Sequence, residues 1–492
     1  MSEAREGTAG RVHGIILAGG LGQRFWPISR ELSPKQLLSM FGTESLIAQA
    51  VHRVLPVLTG GETDVLIVTS ERLVDELRNH MTAQDDEHLH HVRYLVEPMG
   101  RNTAPAIALA CASVAAKDPE GIVIVLPSDH VLDAGEIWFD AVASAVSLAR
   151  DGYFATIGIT PTRPETGYGY IRRGAALPQH SRGAVTASVA DAFVEKPDAA
   201  TAETYLADGG YLWNAGVFVM RAAGCLAALD AHADTAPISA AAREIAAGMA
   251  GEEARERFGA LPALSIDVAV MERVDCVAVV AADVGWSDVG SLMALETLAP
   301  ADESGNVRIG RGVDVNSTGT VVYTSERLVA TLGVSDLIVV DTADATLITH
   351  KDAAQDVRLV VEALKAQGAD EVVQPQRSLR PWGSWRLLLE APGYKVKEIE
   401  VKPGCRLSLQ RHEHRSENWV VAAGRARVMR GEDTVHLEVG ESVYLRAGTA
   451  HRLENPGDEL LRIVEIQTGE YLGEDDIERI EDDWHRDDPA GD

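Results

Sequence analysis

Near residue 300 the hydrophobic rhythm of this chain changes, and the change limits its architecture more than any single motif does. From about Arg11 to about Pro300, short apolar runs alternate with amphipathic helical stretches, as in residues 65–69 before 72–80 and 122–126 before 137–150. Such alternation predicts an α/β unit, a Rossmann-like mostly parallel sheet covered on both faces, with ligands at the carboxyl ends of the strands. From Asn306 to Thr349 the runs become short and β-rich, with Gly, Asn and Asp at the turns, and one helix follows over 353–366. This reads as a small β-helix-like connector. Gln374-Pro375-Gln376 reads as a linker, and from Trp385 to Glu470 alternating strands between Gly and Pro turns predict a closed β-barrel or jelly roll. The expected division is 11–300, 301–375 and 376–484, since 492 residues exceed what one core usually serves. The acidic stretch after Tyr471 is expected on the surface.

The first strand runs into Leu17-Ala18-Gly19-Gly20-Leu21-Gly22-Gln23-Arg24, and Pro34-Lys35-Gln36 follows ten residues on. Gly19, Gly20 and Gly22 let the backbone pass close to an anion and turn N–H groups toward phosphate oxygens, which a Cβ would obstruct. Arg24 and Lys35 supply charge. Phe25 stands where a dinucleotide fingerprint has its third glycine, and no Gly-Lys-Ser/Thr follows, so neither a dinucleotide fingerprint nor a Walker loop is present. The pattern reads as a nucleoside-triphosphate site. A strand-to-helix turn with a surface arginine is the plain alternative, which further motifs must exclude.

With 45 basic against 74 acidic residues the formal net charge is −29, which argues against nucleic acid or an anionic membrane as partner. Anionic substrates must then be drawn in by local cations. Cys111, Cys225, Cys276 and Cys405 form no Cys-x-x-Cys pair and fit reduced thiols in a cytoplasmic protein. The first ten residues carry no apolar segment, and no apolar span is long enough to cross a bilayer. The oligomeric state, a homo-oligomer included, is left open.

In the C-terminal part Gln410, His412 and His414 recur at i, i+2, i+4, which on one strand aims all three at one face; Glu417 and His451 complete a possible metal shell. The alternative is a row of polar histidines on a solvated strand, which the His-x-His spacing disfavours.

The order of further motifs resembles a known family. Residues 17–36 are similar to the signature of sugar-nucleotide pyrophosphorylases. Glu97-Pro98-Met99-Gly100-Arg101-Asn102-Thr103-Ala104-Pro105 resembles the nucleotide segment of the GDP-mannose branch, and Leu126-Pro127-Ser128-Asp129-His130 its metal-aspartate strand end. Glu165-Thr166-Gly167-Tyr168-Gly169-Tyr170, Phe193-Val194-Glu195-Lys196-Pro197, Trp213-Asn214-Ala215-Gly216 and Gly285-Trp286-Ser287-Asp288-Val289-Gly290 continue the match. Arg380-Pro381-Trp382-Gly383, residues 410–419 and Tyr471 to Ile477 resemble the second half of the bifunctional mannose-1-phosphate guanylyltransferase/mannose-6-phosphate isomerase family. The resemblance covers nearly the whole chain.

It implies a nucleotidyltransferase of the GT-A-like type joined to a cupin barrel, acting on GTP with mannose-1-phosphate and interconverting mannose-6-phosphate and fructose-6-phosphate. In the first reaction two anions must be brought together, a task for Mg²⁺ held by one or two carboxylates plus substrate phosphate. The resemblance gives Asp129 and Asp288 that role, with a helix N-cap as the plain alternative for Asp129. Arg24 and Lys35 go to the β- and γ-phosphates, where charge builds as pyrophosphate leaves. Leu17, the glycines, and the segment Glu97, Gly100, Arg101, Asn102 and Thr103 go to the nucleotide. A carboxylate can accept from guanine N1–H and N2–H, which points to GTP; which of Glu97, Arg101 and Asn102 meets the base stays open. Lys196 is assigned to the sugar phosphate, Glu195 and Asn214 to sugar hydroxyls, and Gly167 to backbone contact with the sugar.

In the barrel, Gly424, Gly440, Gly448, His451 and Asn455 keep cupin spacing, whereas only two residues separate His414 from Glu417 and Arg446 stands where a proline is usual. Gln410 is therefore the reserve for Glu417 as ligand, and the ion is Zn²⁺ or Co²⁺. Arg415, with Lys395, Lys397 and Lys402, is assigned to the substrate phosphate; the base of the isomerisation is not identified. Two alternatives remain: a pyrophosphorylase for another nucleotide or sugar, against which residues 97–105 speak, and a monofunctional transferase whose cupin is a metal-free binding or regulatory module.

Overall fold

The structure, a computed structural model, describes residues 10–20, 22–84 and 86–481. Leu21 of the glycine turn, the polar residues 1–9 and the 482–484 end of the expected barrel region lie outside the described residues. The first unit is one nine-stranded sheet: β1 Val12–Leu17, β2 Val65–Ser70, β3 Arg93–Glu97, β4 Ile122–Pro127, β5 Phe154–Ile159, β6 Tyr170–Ala176, β7 Thr186–Val194, β8 Tyr211–Arg221 and β9 Val277–Ala281. Its order is β3-β2-β1-β4-β8-β5-β9-β7-β6. The β3-β2-β1-β4 half is parallel, as is β5 with β9; β8 enters antiparallel between β4 and β5. Sequences such as Ile-Val-Ile-Val-Leu in β4 are apolar at every position because both faces are covered. The helix Thr103–Ala115, apolar nearly all round, fills one of those covers, and Glu136–Arg150 belongs to the other. The expected helix over 72–80 is found at Val74–Ala83.

Three short strands, Val307–Ile309, Val321–Thr324 and Leu337–Asp341, then pair in parallel, and Gly312–Val315 pairs in parallel with Val329–Leu332. The helix that follows is Val357–Ala366, preceded by a 3₁₀ segment Lys351–Asp356. The core of this connector is shared: Phe25 and Trp26 from the glycine-turn region are buried among Leu292, Val321, Ile338, Val357 and Val361. Glu31 and Leu32 donate backbone hydrogen bonds to the Val372 and Val373 carbonyls, and the Trp26 indole to that of Glu371. Phe25, which excludes a dinucleotide fingerprint, is thus the anchor of the connector against the transferase unit.

The last unit has a six-stranded and a five-stranded antiparallel sheet closing on one core. It begins at Arg377, earlier than the alternation suggests. The acidic tail does more than coat the surface: Ile477–Glu481 pairs with Leu409–His412, and the Asp476 carboxylate accepts from the backbone N–H groups of Glu413 and His414. No helix among the described residues is long and apolar enough to cross a membrane.

Candidate functional site

At the carboxyl edge of β1, β3 and β4 a cleft opens with two compartments. One, of about 490 Å³, is lined by Leu17, Gly19, Gly20, Glu97, Gly100, Arg101, Asn102 and Thr103 on one side and by Gly167, Glu195, Lys196 and Asn214 on the other. The second, of about 520 Å³, holds Gly22, Arg24 and Lys35. Asp129, His130 and Asp288 line both, so the two carboxylates stand at the junction. The topology explains this: Asp129 follows β4, Glu97 ends β3, and Asp288 lies in a loop that bridges back to Val131.

In the first compartment Glu97 is 5% exposed, and burial pushes its carboxyl up to about 7. A Cβ at Gly19 would meet Glu97 Oε1 at 3.0 Å, so glycine gives the carboxylate its room. The other two candidates for the base are already engaged. Arg101 donates to the Gly259 carbonyl, and Asn102 (φ 67°) caps its own helix, its Oδ1 accepting from Thr103 N–H at 2.8 Å. Thr103 is tied as well, its Oγ1 accepting from Ile266 N–H at 2.9 Å. Among the described residues only Glu97 of the three keeps a polar side chain with no partner. Asn214 is oriented by Thr156, which donates to its Oδ1 at 3.2 Å, and itself donates to Asp267 Oδ1 at 2.9 Å. Lys196 pairs with Glu195 at 3.0 Å, in a left-handed backbone conformation (φ 46°).

The structure differs from expectation at Lys35. Lys35 is 4% exposed, and its ammonium donates to the carbonyls of Asp288 (2.8 Å) and Val289 (3.0 Å) while pairing with Asp129 at 2.8 Å. The cation expected on the β- and γ-phosphates is a clamp between the two carboxylate-bearing loops, because Gly22 (φ 58°) presses the backbone onto it: a Cβ there would lie 2.7 Å from Lys35 Cβ. The recess around Asp129 works to raise its pKa, and the charge of Lys35 with that of His130 outweighs this and holds it below the usual carboxylate range. Asp288 accepts from the Tyr168 hydroxyl at 2.6 Å. Oxygen donors from two loops fit a hard divalent cation completed by substrate phosphate.

Residues that sequence reasoning missed are His130, whose Nδ1 accepts from Trp286 Nε1 at 3.1 Å, Tyr168, and Asp267, which burial and the charge of Glu195 push up to about 6. His130, Tyr168 and Trp286 lie inside the quoted motifs, which was a signal; Asp267 starts a π-helical turn and gave none.

In the barrel, His412, Glu417 and His451 bring one ligand atom each within 4.8 Å of one another, all buried. His412 Nε2 lies 3.1 Å from Glu417 Oε1 and His451 Nε2 3.6 Å from Oε2. Neither Nε2 has a hydrogen bond of sound geometry, and two desolvated imidazole nitrogens beside a carboxylate suit a borderline metal. Burial works to raise the Glu417 pKa, and the two histidines hold it well below the carboxylate range. Gln410, paired in register with His451, lines a cavity with Glu417 but is hydrogen-bonded from Ser408 at 3.3 Å.

His414 is not part of this group. The strand ends at His412 and the chain bends over 413–414, so the i+4 alternation breaks and the His414 ring is half-exposed, 3.5 Å from Asp476. Arg415 is likewise not free for a phosphate: its side chain is 2% exposed and donates to Glu417 (3.2 Å) and the Gly473 carbonyl (2.8 Å). Lys395 pairs with Glu390 and Lys397 with Glu474, while Lys402 donates to the Ala83 carbonyl of the first unit. Two groups went unnoticed in the sequence. Glu465 and Gln467 face inward on Leu461–Gly469, where alternation with Leu461 and Ile463 calls for apolar side chains. Trp419 Nε1 donates to Glu417 (3.1 Å) and Glu465 (2.9 Å), and Gln467 to Glu417 (3.3 Å) and Glu465 (3.0 Å). Burial and the Glu417 charge push the Glu465 carboxyl well above its ordinary range.

A two-compartment cleft at the carboxyl edge of a parallel-rich sheet, with carboxylates where the compartments meet, defines a nucleotide-dependent transferase; the barrel's enclosed ligands define a cupin. The sequence pattern of the Nucleotidyl transferase family matches residues 13–305, more than half of the chain, and the protein belongs to that family. Residues 310–364 match the MannoseP isomerase/GMP-like beta-helix domain and 367–482 the Mannose-6-phosphate isomerase C-terminal family. The chain is 39% identical over 478 residues to the xanthan biosynthesis protein XanB of Xanthomonas campestris (strain B100), covering 96% of this chain and 98% of that one. It is 39% identical over 485 residues to a mannose-1-phosphate guanylyltransferase of Klebsiella pneumoniae, with 96% and 99% covered. A solved structure from Thermus thermophilus, described as a mannose-1-phosphate geranyltransferase, superposes with a TM-score of 0.62 at 35% identity, covering 72% of this chain and 99% of that one.

Proposed function

We propose that the first unit transfers GMP from GTP to mannose-1-phosphate, releasing pyrophosphate, and that the barrel interconverts mannose-6-phosphate and fructose-6-phosphate. The observation that carries the first activity is the position of Asp129 and Asp288 at the junction of the two compartments, where an α-phosphate spanning them would lie. Mg²⁺ held by these carboxylates would neutralise the phosphates and orient the in-line displacement. Glu97 accepts from guanine N1–H and N2–H, a donor pair that adenine and the pyrimidines lack. Leu17, Gly19, Gly20 and Gly100 bring backbone close to the nucleotide, and Arg24 faces the departing pyrophosphate. Glu195, Asn214 and Gly167 hold the sugar and Lys196 its phosphate. A cytoplasmic location, where GTP and sugar phosphates are made, belongs to this reading.

For the barrel, His412, Glu417 and His451, with Gln410 beside them, are the ligand set for Zn²⁺ or Co²⁺, which would polarise the oxygens of an enediolate. The expected division at 11–300, 301–375 and 376–484 is kept, with the connector's core closed by Phe25 and Trp26 of the first unit. The test is to supply GTP, Mg²⁺ and mannose-1-phosphate in one reaction and fructose-6-phosphate in another, and to identify the products. GDP-mannose and mannose-6-phosphate are expected, with mannose-6-phosphate not converted to mannose-1-phosphate. Comparable kcat/KM with dTTP would overturn the guanine assignment, since a site built to hydrogen-bond one base leaves buried groups unpaired with another. Purified protein free of transition metal and inactive as an isomerase after Zn²⁺ or Co²⁺ is added would reduce the barrel to a binding module.

A further inference from the structure

The phosphate compartment is expected to offer two cations, Arg24 and Lys35, yet the Lys35 ammonium is saturated by Asp129 and two carbonyls. A departing pyrophosphate carries more charge than one guanidinium balances. The compartment of about 520 Å³ has a further cation on its wall, and it comes from a different part of the chain: Arg358, in the first turn of the connector helix Val357–Ala366. Among the described residues neither Arg24 nor Arg358 has an ion-pair or hydrogen-bond partner, although acidic residues exceed basic ones across the chain. Two unpaired guanidiniums facing one open compartment repel each other, an arrangement that becomes favourable when an anion lies between them.

The position of Arg358 is fixed by packing. Val357 and Val361, the buried face of its helix, lie in one core with Phe25 and Trp26, which directly follow Arg24. Arg30 pairs with Asp344 at 2.7 Å, and Lys365 pairs with Glu31, so the arm that carries Arg24 is held to the connector on several sides.

We infer that Arg358 is a pyrophosphate-binding residue of the transferase, supplied by the connector, which with Arg24 grips the β- and γ-phosphates of the nucleotide. The inference rests on the reading of this compartment as the triphosphate end of the cleft. It gives the connector a part in substrate binding, because a guanidinium can grip phosphate oxygens in bidentate fashion.

The test measures the reverse reaction, GDP-mannose plus pyrophosphate, in the full-length protein for Arg358→Ala, Arg358→Lys and Arg24→Ala. Arg358→Ala is expected to raise the KM for pyrophosphate about tenfold or more while the KM for GDP-mannose, barrel isomerase activity and Tm stay as in the parent; the lysine variant, which keeps charge and loses the fork, should fall between. If Arg24→Ala raises the pyrophosphate KM and Arg358→Ala does not, the inference fails and the reading of the compartment stands. If neither variant changes it, the reading itself fails and the inference with it. Equal loss toward pyrophosphate and GDP-mannose, or a lowered Tm, would mark Arg358 as structural and overturn the proposal.

Discussion

In the transferase cleft the Asp129 side chain is 38% exposed and sits between compartments of about 490 and 520 Å³, whereas in the barrel the Glu417 side chain is 1% exposed in a cavity of about 90 Å³. The cleft holds its carboxylates on separate loops with room for phosphates around them. The barrel holds His412 and His451 on paired strands and Glu417 on the other sheet, and braces Glu417 with Arg415, Trp419 and Gln467. The contrast matches the ions proposed for each. A hard cation that arrives with its nucleotide needs carboxylates that substrate can reach, and a resident borderline metal needs imidazoles fixed before it binds. It also implies that the two sites fail independently.

The largest break is expected in the barrel. His412→Ala or His451→Ala should leave the purified protein without bound transition metal and without isomerase activity, while guanylyl transfer continues; metal analysis and a coupled isomerase assay check both halves. Asp129→Asn is the reciprocal change. It should lower GDP-mannose formation on the order of 10²- to 10³-fold, the scale of losing one charge-stabilising group, with isomerisation unchanged. Loss of both activities in either variant would refute the separation of the sites.

Trp419→Phe probes the brace, because it removes the indole N–H shared by Glu417 and Glu465 and keeps an aromatic ring. A 10- to 100-fold weaker affinity for Zn²⁺, read by competition with a chelator, is the expected cost of such an outer contact. The smallest effect concerns Glu97. With its carboxyl near 7, ionised Glu97 is available to guanine above that pH, so the KM for GTP should rise as pH falls through 7, by at most about tenfold per unit. In Glu97→Gln that component should disappear. The sign for stability is opposite: a folded pKa above the unfolded 4.5 favours folding below that value, and the advantage is lost as pH rises through 7. Glu97→Gln should therefore raise the Tm of the free protein at pH 8 and leave it unchanged at pH 4; a lower Tm at pH 8 would show that the carboxylate has a partner after all.

Alternation and turn chemistry gave the α/β unit, the β-helix-like connector and the barrel, because burial of one or both strand faces imposes local periods that a sequence carries openly. The same local signal located Asp129 after β4 and the glycine turn after β1. It failed where a partner distant in sequence decides a side chain's fate. Lys35 reads as a phosphate cation until Asp129 and the Asp288–Val289 carbonyls enclose it. Arg415 reads as a phosphate ligand until the Gly473 carbonyl, 58 residues on, holds its guanidinium beside neighbouring Glu417. The i, i+2, i+4 spacing included His414 because strand periodicity assumes that the strand continues, and the bend over 413–414, held by Asp476, ends it.

The sequence by itself therefore determined the layers, their order and the chemical types gathered for each reaction, since these follow from local periodicity and from residue chemistry at short spacing. Only the tertiary structure decided which charges are spent on one another and which are left without a partner: Lys35 and Arg415 are spent, and among the described residues Glu97, Arg24 and Arg358 have none. The reason is physical. Whether a buried or half-buried charge is free depends on every donor and acceptor within a few ångströms, and in a fold many of those neighbours come from strands and loops far away in sequence.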